Sequence, residues 1–225
     1  MSDCPGRVSG SRRLRADLVR KVAKQTAAVL ELMHSAAIVH GGSFGPYFCP
    51  PAYSNILINY LDITASNTLL CISDHVTKWS DDQVYANFGK PETEQLVPED
   101  GSPPGSHAPT EIVATIDNAR LAHPSILQED IIVIDFGQSF FMEHPPKEYQ
   151  PAAPIHYASP EIRFESRISS ASDIWALGCT IFEMRAGFPL FEPFLGSEVN
   201  IMKQMVETLG KPPEPWWNSF KERGV

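Results

Sequence analysis

Residues Ile38–Ile58 read IVHGGSFGPYFCPPAYSNILI, and this stretch decides how the rest of the chain is interpreted. It begins with an apolar pair before His40 and ends with an apolar run after Asn55. Asn55 follows His40 by 15 positions, and neither aspartate nor glutamate lies between them. The tyrosines and the cysteine of this interval have ordinary pKa values of about 8.5 to 10. We therefore predict a connection between two structured segments that holds no proton acceptor active near neutral pH.

The segment before this stretch has the periodicity of an amphipathic helix. Between Leu14 and His34, apolar side chains recur at steps of three and four, at Leu14, Leu18, Val22, Thr26 or Ala27, Leu30 and Met33. Such spacing gives a helix one apolar face, which we expect to be buried. Arginines at its start oppose the helix dipole, so we expect the first turn to fray.

Two short runs rich in isoleucine and valine follow the helix. Asn55–Tyr60 (NILINY) and Ile131–Asp135 (IIVID) are each five or six residues long. Runs of this length and composition are typical of buried strands. We therefore predict one strand directly after Asn55 and another that ends at Asp135.

The segment between these strands, Leu61–Asp130, has a different character. It contains one predicted helix, with Ser80 as N-cap, acidic residues in its first turn and Gly89 at its end. Lys90–Glu111 carries five prolines and two glycines, which predicts a loop. The segment is interpreted as an ordered surface insertion with a mobile middle, or alternatively as a docking surface for a partner.

Two helices are predicted in the C-terminal half. Ser172–Arg185 (SDIWALGCTIFEMR) is apolar nearly all round, which is typical of a helix buried inside a core. Ser197–Leu209 has apolar residues on one side and is followed by Gly210 and two prolines, which are stop signals. The chain ends shortly after Trp216 and Trp217.

Composition limits the class of protein. The chain has 225 residues, 43% of them hydrophobic, and 27 acidic against 18 basic residues give a net charge of -9. That charge disfavours nucleic acid as a partner. The four cysteines are scattered, without metal-binding spacing. No apolar run approaches the roughly 20 residues that span a bilayer, and the N-terminus lacks the apolar segment of a signal peptide, so we expect an intracellular protein, cytoplasmic or nuclear.

The order of several short motifs carries a family resemblance. Asp135-Phe136-Gly137 follows a predicted strand, Ser159-Pro160-Glu161 comes about 25 residues later, and Asp173 opens the apolar helix. Upstream, an amphipathic helix leads into His40, and Asn55 begins a predicted strand. In this order the motifs resemble the C-terminal lobe of a eukaryotic protein kinase.

The resemblance extends to a subgroup and to an architecture. Glu198–Trp217 is similar to the group that contains cyclin-dependent, mitogen-activated and SR-protein kinases. The Gly after His40, the insertion and Asp173–Phe194 resemble fungal SR-protein-kinase-like enzymes. We expect a mainly α (α+β) lobe over residues 12–225, with short β-hairpins around the loop, the 61–130 insertion, a disordered 1–11 and no N-terminal lobe.

The resemblance also implies roles for individual residues. Asp135 and Asn55 would hold magnesium ions on the phosphates of ATP, next to Phe136 and Gly137. His40 would be structural and would support the Asp135–Gly137 segment. Asp173 would accept hydrogen bonds from backbone amides of the catalytic loop.

Ser159, Pro160 and Glu161 would close the activation segment. The family usually has an arginine where this chain has Ala158, so the electrostatics of the substrate-docking turn are expected to differ. Glu161 would pair in the family with an arginine of a later helix, which this chain does not reach. Since a buried carboxylate without a partner is costly, we predict a loosely held activation segment.

The catalytic loop departs most from the family. The family pattern is His-x-Asp-x-x-x-x-Asn, and its aspartate accepts the proton of the substrate hydroxyl. Gly42 stands at the place of that aspartate. Positioning of a general base tolerates little displacement, so we predict that this polypeptide transfers no phosphate. An altered exon boundary, a retained intron or gene decay would account for the loss.

Three functions follow as hypotheses. The first is a serine/threonine protein kinase that uses ATP and Mg²⁺ on protein substrates, with basic or Arg/Ser-rich ones as candidates, and is impaired as given. The second is a pseudokinase or regulatory fragment that docks partners on 61–130. The third, a small-molecule kinase of the aminoglycoside or choline type, is disfavoured by Ser159-Pro160-Glu161 and the helix at Asp173.

Overall fold

A computed structural model of the chain describes residues 13–41, 67–98, 101–102, 105–114, 116, 123, 125–137, 139–145, 154–192 and 197–222. These residues combine helices with short antiparallel strand pairs. The α-helices are α1 Ala16–Ser35, α2 Asp81–Phe88, α3 Pro160–Glu165, α4 Ser170–Ala186, α5 Glu198–Leu209 and α6 Glu214–Glu222, with a 3-10 turn at Val76–Lys78. The strands are β1 Ile38–Val39, β2 Thr68–Ile72, β3 Thr93–Gln95, β4 Glu111–Val113, β5 Leu127–Val133 and β6 Phe140–Phe141.

Helix α1 confirms the predicted amphipathic helix. Its buried residues follow the predicted spacing: Leu18, Val19, Val22, Thr26, Leu30 and Met33. The expected conflict between arginines and the helix dipole is wrong, because the helix begins at Ala16 and its first turn holds Asp17. Arg15 is the N-cap and forms an ion pair with Asp17, while Nε of Arg13 donates to the carbonyl of Ala186 at 2.9 Å.

Helix α4 crosses the centre of the core and packs along α1. Ser169 caps its N-terminus in a capping box with Ser172, and Gly187 ends it in the left-handed conformation at φ 83°. Leu18, Val19 and Val22 of α1 surround Met184, and the last turns of α1 meet Ala176 and Leu177, so the two helices run antiparallel. The prediction that α4 is buried all round is wrong at Ile174, which is 54% exposed.

Strands β2 and β5 form an antiparallel pair that leads into Asp135. Thr68 pairs with Val133 and Leu70 with Ile131. Strand β5 confirms the predicted strand, although it ends at Val133, two residues before the predicted end, and one of its faces is open, with Ile132 54% exposed. Strand β2 was not predicted. The predicted strand Asn55–Tyr60 lies outside the described residues.

The side chain of Gln25 in α1 fixes β5 against that helix. Its amide nitrogen donates to the carbonyl of Glu129 at 2.9 Å, and its amide oxygen accepts from the N–H of Ile131 at 3.2 Å. Lys21, one turn earlier, forms an ion pair with the Glu129 carboxylate. These contacts satisfy backbone groups of β5 that β2 does not reach.

The described part of 61–130 confirms one predicted element and corrects another. Helix α2 begins after Ser80 and ends at Gly89 as predicted. The predicted loop Lys90–Glu111 contains a strand pair, because β3 pairs with β4 and Thr93 lies opposite Val113. The β-branched residues Ile112 and Val113 favour an extended backbone, a local preference that the surrounding prolines obscured.

Replacing Ser80 with alanine is expected to destabilise α2 by about 1 kcal/mol. The Ser80 hydroxyl accepts from the N–H of Gln83 at 3.4 Å, and the Gln83 side chain accepts from the N–H of Ser80 at 2.9 Å. Amide exchange of Gln83 should therefore accelerate about fivefold. Ser80→Asp keeps a capping oxygen and should leave exchange nearly unchanged; equal acceleration in both variants would contradict the cap.

Helices α5 and α6 close the C-terminal side of the core. Ser197 caps α5 and Gly210 ends it at φ 87°, as predicted. Helix α6 was missed because Pro212 and Pro213 were read as stop signals, although they precede its first turn. Its Trp216 stacks on Phe164 of α3, with ring centroids 5.6 Å apart. No helix among the described residues is both long and apolar enough to cross a membrane.

Candidate functional site

Asp173 in α4 anchors the start of the loop that follows β1. Its side chain is 5% exposed. One carboxylate oxygen accepts from the N–H of His40 at 2.9 Å, and the other accepts from the N–H of Gly41 at 3.3 Å. Nε2 of His34 lies 2.9 Å from the first oxygen. Gly41 adopts φ 77°, a conformation that glycine accepts without strain, so Asp173 fixes the backbone where the chain enters residues 42–66.

His40 connects this anchor to the Asp135–Gly137 segment. The imidazole is 1% exposed, and its centroid lies 5.0 Å from the ring of Phe136. The His40 carbonyl accepts from the Ser139 hydroxyl at 3.3 Å. Burial lowers the pKa of His40, while the charge of Asp173 acts in the opposite direction. A buried ring of lowered pKa suits packing against Phe136, and the structural role of His40 stays a prediction.

Asp135 lies in an uncommon backbone conformation. Its φ is 68°, in the left-handed region that aspartate enters more readily than most residues. The turn that follows is closed by the N–H of Ser139, which donates to the carbonyl of Phe136 at 3.0 Å. The Asp135 carboxylate is half-buried and the Phe136 ring is 46% exposed. The backbone thus turns sharply after β5 and leaves Asp135 at the edge of the site.

Asn67, which we did not predict as a site residue, lies next to the Asp135–Gly137 segment. It is 0% exposed and directly precedes β2. Its carbonyl accepts from the N–H of Ile134 at 3.1 Å, so Asn67 lies beside the residue that precedes Asp135. Asn55, to which the corresponding role was given, lies outside the described residues.

A sequence signal for Asn67 was available. The residues Asp62-Ile-Thr-Ala-Ser-Asn67 have the Asp-x-x-x-x-Asn spacing of the kinase catalytic loop, and the apolar run of β2 follows at once. Asn55 also precedes an apolar run and stands closer to His40, so the sequence pattern favours Asn55 as well. Gly42 and Asp62 both lie outside the described residues.

The Ser159–Glu161 segment is packed into the core. Ser159 is 0% exposed and is the N-cap of α3, with Pro160 at its first position. The Glu161 carboxylate is half-buried and accepts from the Ser172 hydroxyl at 3.0 Å. Glu161 therefore has a hydrogen-bond donor in Ser172, which we did not predict, and the loosely held activation segment stays a prediction.

A cation lies beside Ala158, where the family usually has an arginine. Nε of Arg163 donates to the Ala158 carbonyl at 3.1 Å. Burial lowers the pKa of Arg163 to about 10, so its guanidinium stays charged at neutral pH. Helix α3 therefore places a positive charge next to Ala158, the position at which the resemblance implies an arginine.

Replacing Glu183 with glutamine is expected to remove a pH dependence of stability. The Tyr157 hydroxyl donates to the Glu183 carboxylate, and burial raises the pKa of Glu183. Between the ordinary glutamate pKa, about 4.3, and the raised value, the folded state binds more protons than the unfolded state. The chain should thus lose stability relative to Glu183→Gln as pH rises through that window.

Thermal unfolding of both proteins between about pH 4 and pH 7 measures this difference. The exposed Glu207 provides a control, because Glu207→Gln makes the same chemical change outside the core. If the unfolding midpoints of the parent chain and of Glu183→Gln change in parallel with pH, burial does not raise the pKa of Glu183.

The side chains of Asp135 and Asn67 offer oxygen atoms as possible metal ligands. Within the described ranges, no group of three or more His, Cys, Asp or Glu side chains is arranged to hold a metal ion. Asn67 directly precedes β2 and Asp135 is separated from the end of β5 by one residue, and the carbonyl of Asn67 accepts from the N–H of Ile134. Carboxylate and amide oxygens are hard ligands, and Mg²⁺ is commonly held by one or two such side chains together with substrate phosphates. The side chains of Asp135 and Asn67 are therefore of the chemical kind that Mg²⁺ prefers.

Comparison with known proteins agrees with the resemblance of the motifs to protein kinases. The family model described as "Protein kinase domain" matches residues 123–224. This range contains Asp135–Gly137, Ser159–Glu161 and Asp173, whereas His40 and Asn67 precede it and are joined to it by the contacts above.

Curated relatives are protein kinases by name. The chain is 35% identical over 89 residues to the dual specificity protein kinase YAK1 homolog of Arabidopsis thaliana, covering 40% of this chain and 9% of that relative. It is 38% identical over 84 residues to dual specificity tyrosine-phosphorylation-regulated kinase 2 of Drosophila melanogaster, covering 37% and 11%. It is 36% identical over 97 residues to serine/threonine-protein kinase ppk5 of Schizosaccharomyces pombe, covering 43% and 11%. The matches thus span about a tenth of the length of these relatives and support a resemblance to eukaryotic protein kinases; the SR-protein-kinase-like subgroup stays a prediction.

Proposed function

We propose that this chain belongs to a serine/threonine protein kinase that uses ATP and Mg²⁺, and that phosphate transfer by this polypeptide is impaired. The observation that supports the proposal is the contact of Asp173 with the N–H groups of His40 and Gly41, together with the packing of His40 on Phe136. These contacts join the start of a catalytic-type loop to the Asp135–Gly137 segment inside a region that matches the protein kinase domain.

Each residue of the site has a proposed role. Asp135 and Asn67 would hold the magnesium ion, which when bound neutralises and orients the phosphates of ATP. Asn67 takes the role that we predicted for Asn55, since Asn67 lies beside Ile134. Asp62 is the proposed acceptor of the substrate hydroxyl proton, on its spacing from Asn67 alone. His40 and Asp173 are positioning residues.

Impairment follows from the chain between His40 and Asp62. In the family pattern one residue separates the histidine from the aspartate, whereas 21 residues separate them here. A general base must lie within hydrogen-bond reach of the proton that it takes, and the anchored His40–Gly41 pair cannot set the position of a residue so far along the chain. Gly42, at the family place of the base, has no side chain to substitute for it.

Transfer of labelled phosphate from Mg²⁺-ATP to an Arg/Ser-rich peptide tests the proposal. The net charge of -9 favours such a basic acceptor. We expect this chain to transfer no more label than Asp135→Ala, which lacks the proposed metal ligand. Transfer that is clear in the chain and lost in Asp135→Ala would overturn the proposed impairment while supporting the kinase assignment.

Docking of a partner on 61–130 is a second proposed function. The described residues around the β3–β4 pair expose Val97, Ile112 and Val113 at 73%, 50% and 63%. Exposed apolar side chains are one feature of interaction surfaces. The small-molecule kinase alternative loses support, because the matching family model is that of protein kinases.

A further inference from the structure

The hydrogen bonds of the β3–β4 pair show which backbone groups of β4 point toward β3. The N–H of Leu96 donates to the carbonyl of Thr110 at 3.0 Å, and the N–H of Ala114 donates to the carbonyl of Glu92 at 2.8 Å. These bonds continue the register of the pair by one position at each end. Opposite residues in an antiparallel pair alternate between hydrogen-bonded and non-hydrogen-bonded positions. Thr110 and Ala114 therefore occupy hydrogen-bonded positions.

Glu111 and Val113 occupy non-hydrogen-bonded positions, because each lies one position inside those bonds. Their N–H and carbonyl groups consequently point away from β3. All three residues of β4 are exposed, and within the part of the chain that the structure describes these four groups accept or donate no hydrogen bond. A strand edge with unpaired backbone groups is a template for another extended chain.

Strand β4 also brings apolar side chains to its edge, whereas β3 consists of Thr-Glu-Gln. Ile112 and Val113 are 50% and 63% exposed, and β-branched residues pair well across strands. A recess of about 550 Å³ adjoins the end of β4, and its lining includes apolar side chains from α2 and from the residues at and after that end: Val84, Tyr85, Phe88, Val113, Ala114 and Ile116. Backbone groups at an edge and a recess for a side chain are the two components of recognition by strand addition.

The side-chain charge around this edge is mainly negative. Glu92, Glu94 and Glu111 are exposed, and none of them forms an ion pair with another described residue. Lys90 is the one basic residue within positions 90–98 and 110–114. Opposite charges that face each other across two strands stabilise the pairing, and like charges destabilise it. A basic residue opposite Glu111 is therefore favoured.

We propose that β4 accepts an extended peptide as a third strand. The peptide carries β-branched apolar residues opposite Ile112 and Val113, and a lysine or arginine opposite Glu111. An isolated two-stranded pair is marginally stable, so a third strand also stabilises β3 and β4. The inference rests on the proposed docking of a partner on 61–130 and names the chemistry of that partner; it does not depend on phosphate transfer.

The test uses a fluorescein-labelled peptide, Thr-Lys-Val-Ile-Lys-Thr, whose two lysines suit either strand direction. Fluorescence anisotropy measures its binding to the full chain, and amide exchange locates the bound peptide. We expect exchange at Glu111 and Val113 to slow when the peptide binds. The control peptide Thr-Glu-Val-Ile-Glu-Thr should bind about fivefold more weakly, because its carboxylates face Glu111.

Val113→Pro and Thr93→Pro form a matched pair of variants, because Thr93 lies directly opposite Val113. Each variant removes an N–H that points away from the partner strand, a place where a strand tolerates proline. Slow exchange of the Leu96 N–H checks that β3 and β4 remain paired. We expect Val113→Pro to weaken peptide binding about tenfold and Thr93→Pro to stay within twofold of the parent chain.

Glu111→Lys changes the charge and leaves the backbone edge intact. It should reverse the preference between the two peptides. This variant decides the question if Val113→Pro loses the β3–β4 pair, since an unchanged preference for the lysine peptide would overturn the inference.

Three further results would overturn it. Val113→Pro and Thr93→Pro with equal effects on binding would mean that the peptide docks elsewhere on 61–130, so docking would stand without strand addition to β4. A full chain that does not bind the lysine peptide at millimolar concentration would show that the edge accepts no such strand. A dimer of the full chain that Val113→Pro dissociates would make a second copy the occupant. ATP takes no part in these measurements, so a failure of the proposed kinase function leaves them unchanged.

Discussion

Replacing Asp173 with alanine is expected to lower the free energy of unfolding by about 3–5 kcal/mol. The carboxylate is buried and accepts from the N–H groups of His40 and Gly41. Alanine leaves those donors, and His34, without their acceptor in a place that water reaches poorly, and each unsatisfied donor costs about 1–3 kcal/mol. Denaturant unfolding monitored by circular dichroism measures the loss.

Glu31→Ala is a matched control for Asp173→Ala. Glu31 is an exposed carboxylate of α1, the helix that packs along α4, and surface substitutions of this kind usually change stability by less than about 0.5 kcal/mol. Asp173→Asn, which keeps one acceptor oxygen, should lie between the two. A loss in Asp173→Ala no larger than in the control would show that the anchor contributes little.

Replacing Phe191 with alanine is expected to cost about 3–5 kcal/mol. Phe191 is 0% exposed and belongs to the cluster that joins α1, α4 and α5. Its ring stacks on Trp175 with centroids 5.9 Å apart and planes 10° apart. Removing the ring opens a cavity between three helices whose positions are fixed by other contacts, so the site can collapse only in part.

Phe188→Ala provides the comparison for Phe191→Ala. Phe188 lies three residues earlier, is 50% exposed, and makes an edge contact with Phe182. Its loss should cost about half as much or less, because half of the residue already faces water. Equal losses in the free energy of unfolding at the two positions, measured by denaturant unfolding, would show that Phe191 contributes no more to the core than Phe188 does.

The helices were the most predictable part of the fold. The amphipathic spacing of apolar residues predicted α1 and α5. The two ends of α2 were predicted from its cap residues Ser80 and Gly89, which are local signals in the sequence. Burial of α4 was predicted too broadly, because the residue types do not tell which side of an apolar helix meets a partner. Ile174 is apolar and still 54% exposed.

Strands and the loop were harder to predict because they depend on distant partners. Strand β2 is defined by its register with β5, and nothing local distinguishes Thr68–Ile72 from the equally apolar run after Asn55. The same ambiguity explains why we predicted Asn55 as the metal ligand, whereas the role is now proposed for Asn67. Contacts of Asp173 with His40 and of Asn67 with Ile134 span 133 and 67 positions, which periodicity cannot reveal.

Residue-resolved amide exchange tests most directly whether the chain on both sides of residues 42–66, at Gly41 and at Asn67, is held at one site. The exchange is measured across Ile38–Gly41, Thr68–Ile72 and Ile131–Gly137. The account predicts that the N–H groups of His40, Gly41 and Ile134 exchange slowly, and that Asp173→Asn accelerates exchange at His40 and Gly41 more than at Ile134. Exchange of His40 and Gly41 as fast as in an unfolded peptide, or unchanged by Asp173→Asn, would contradict it.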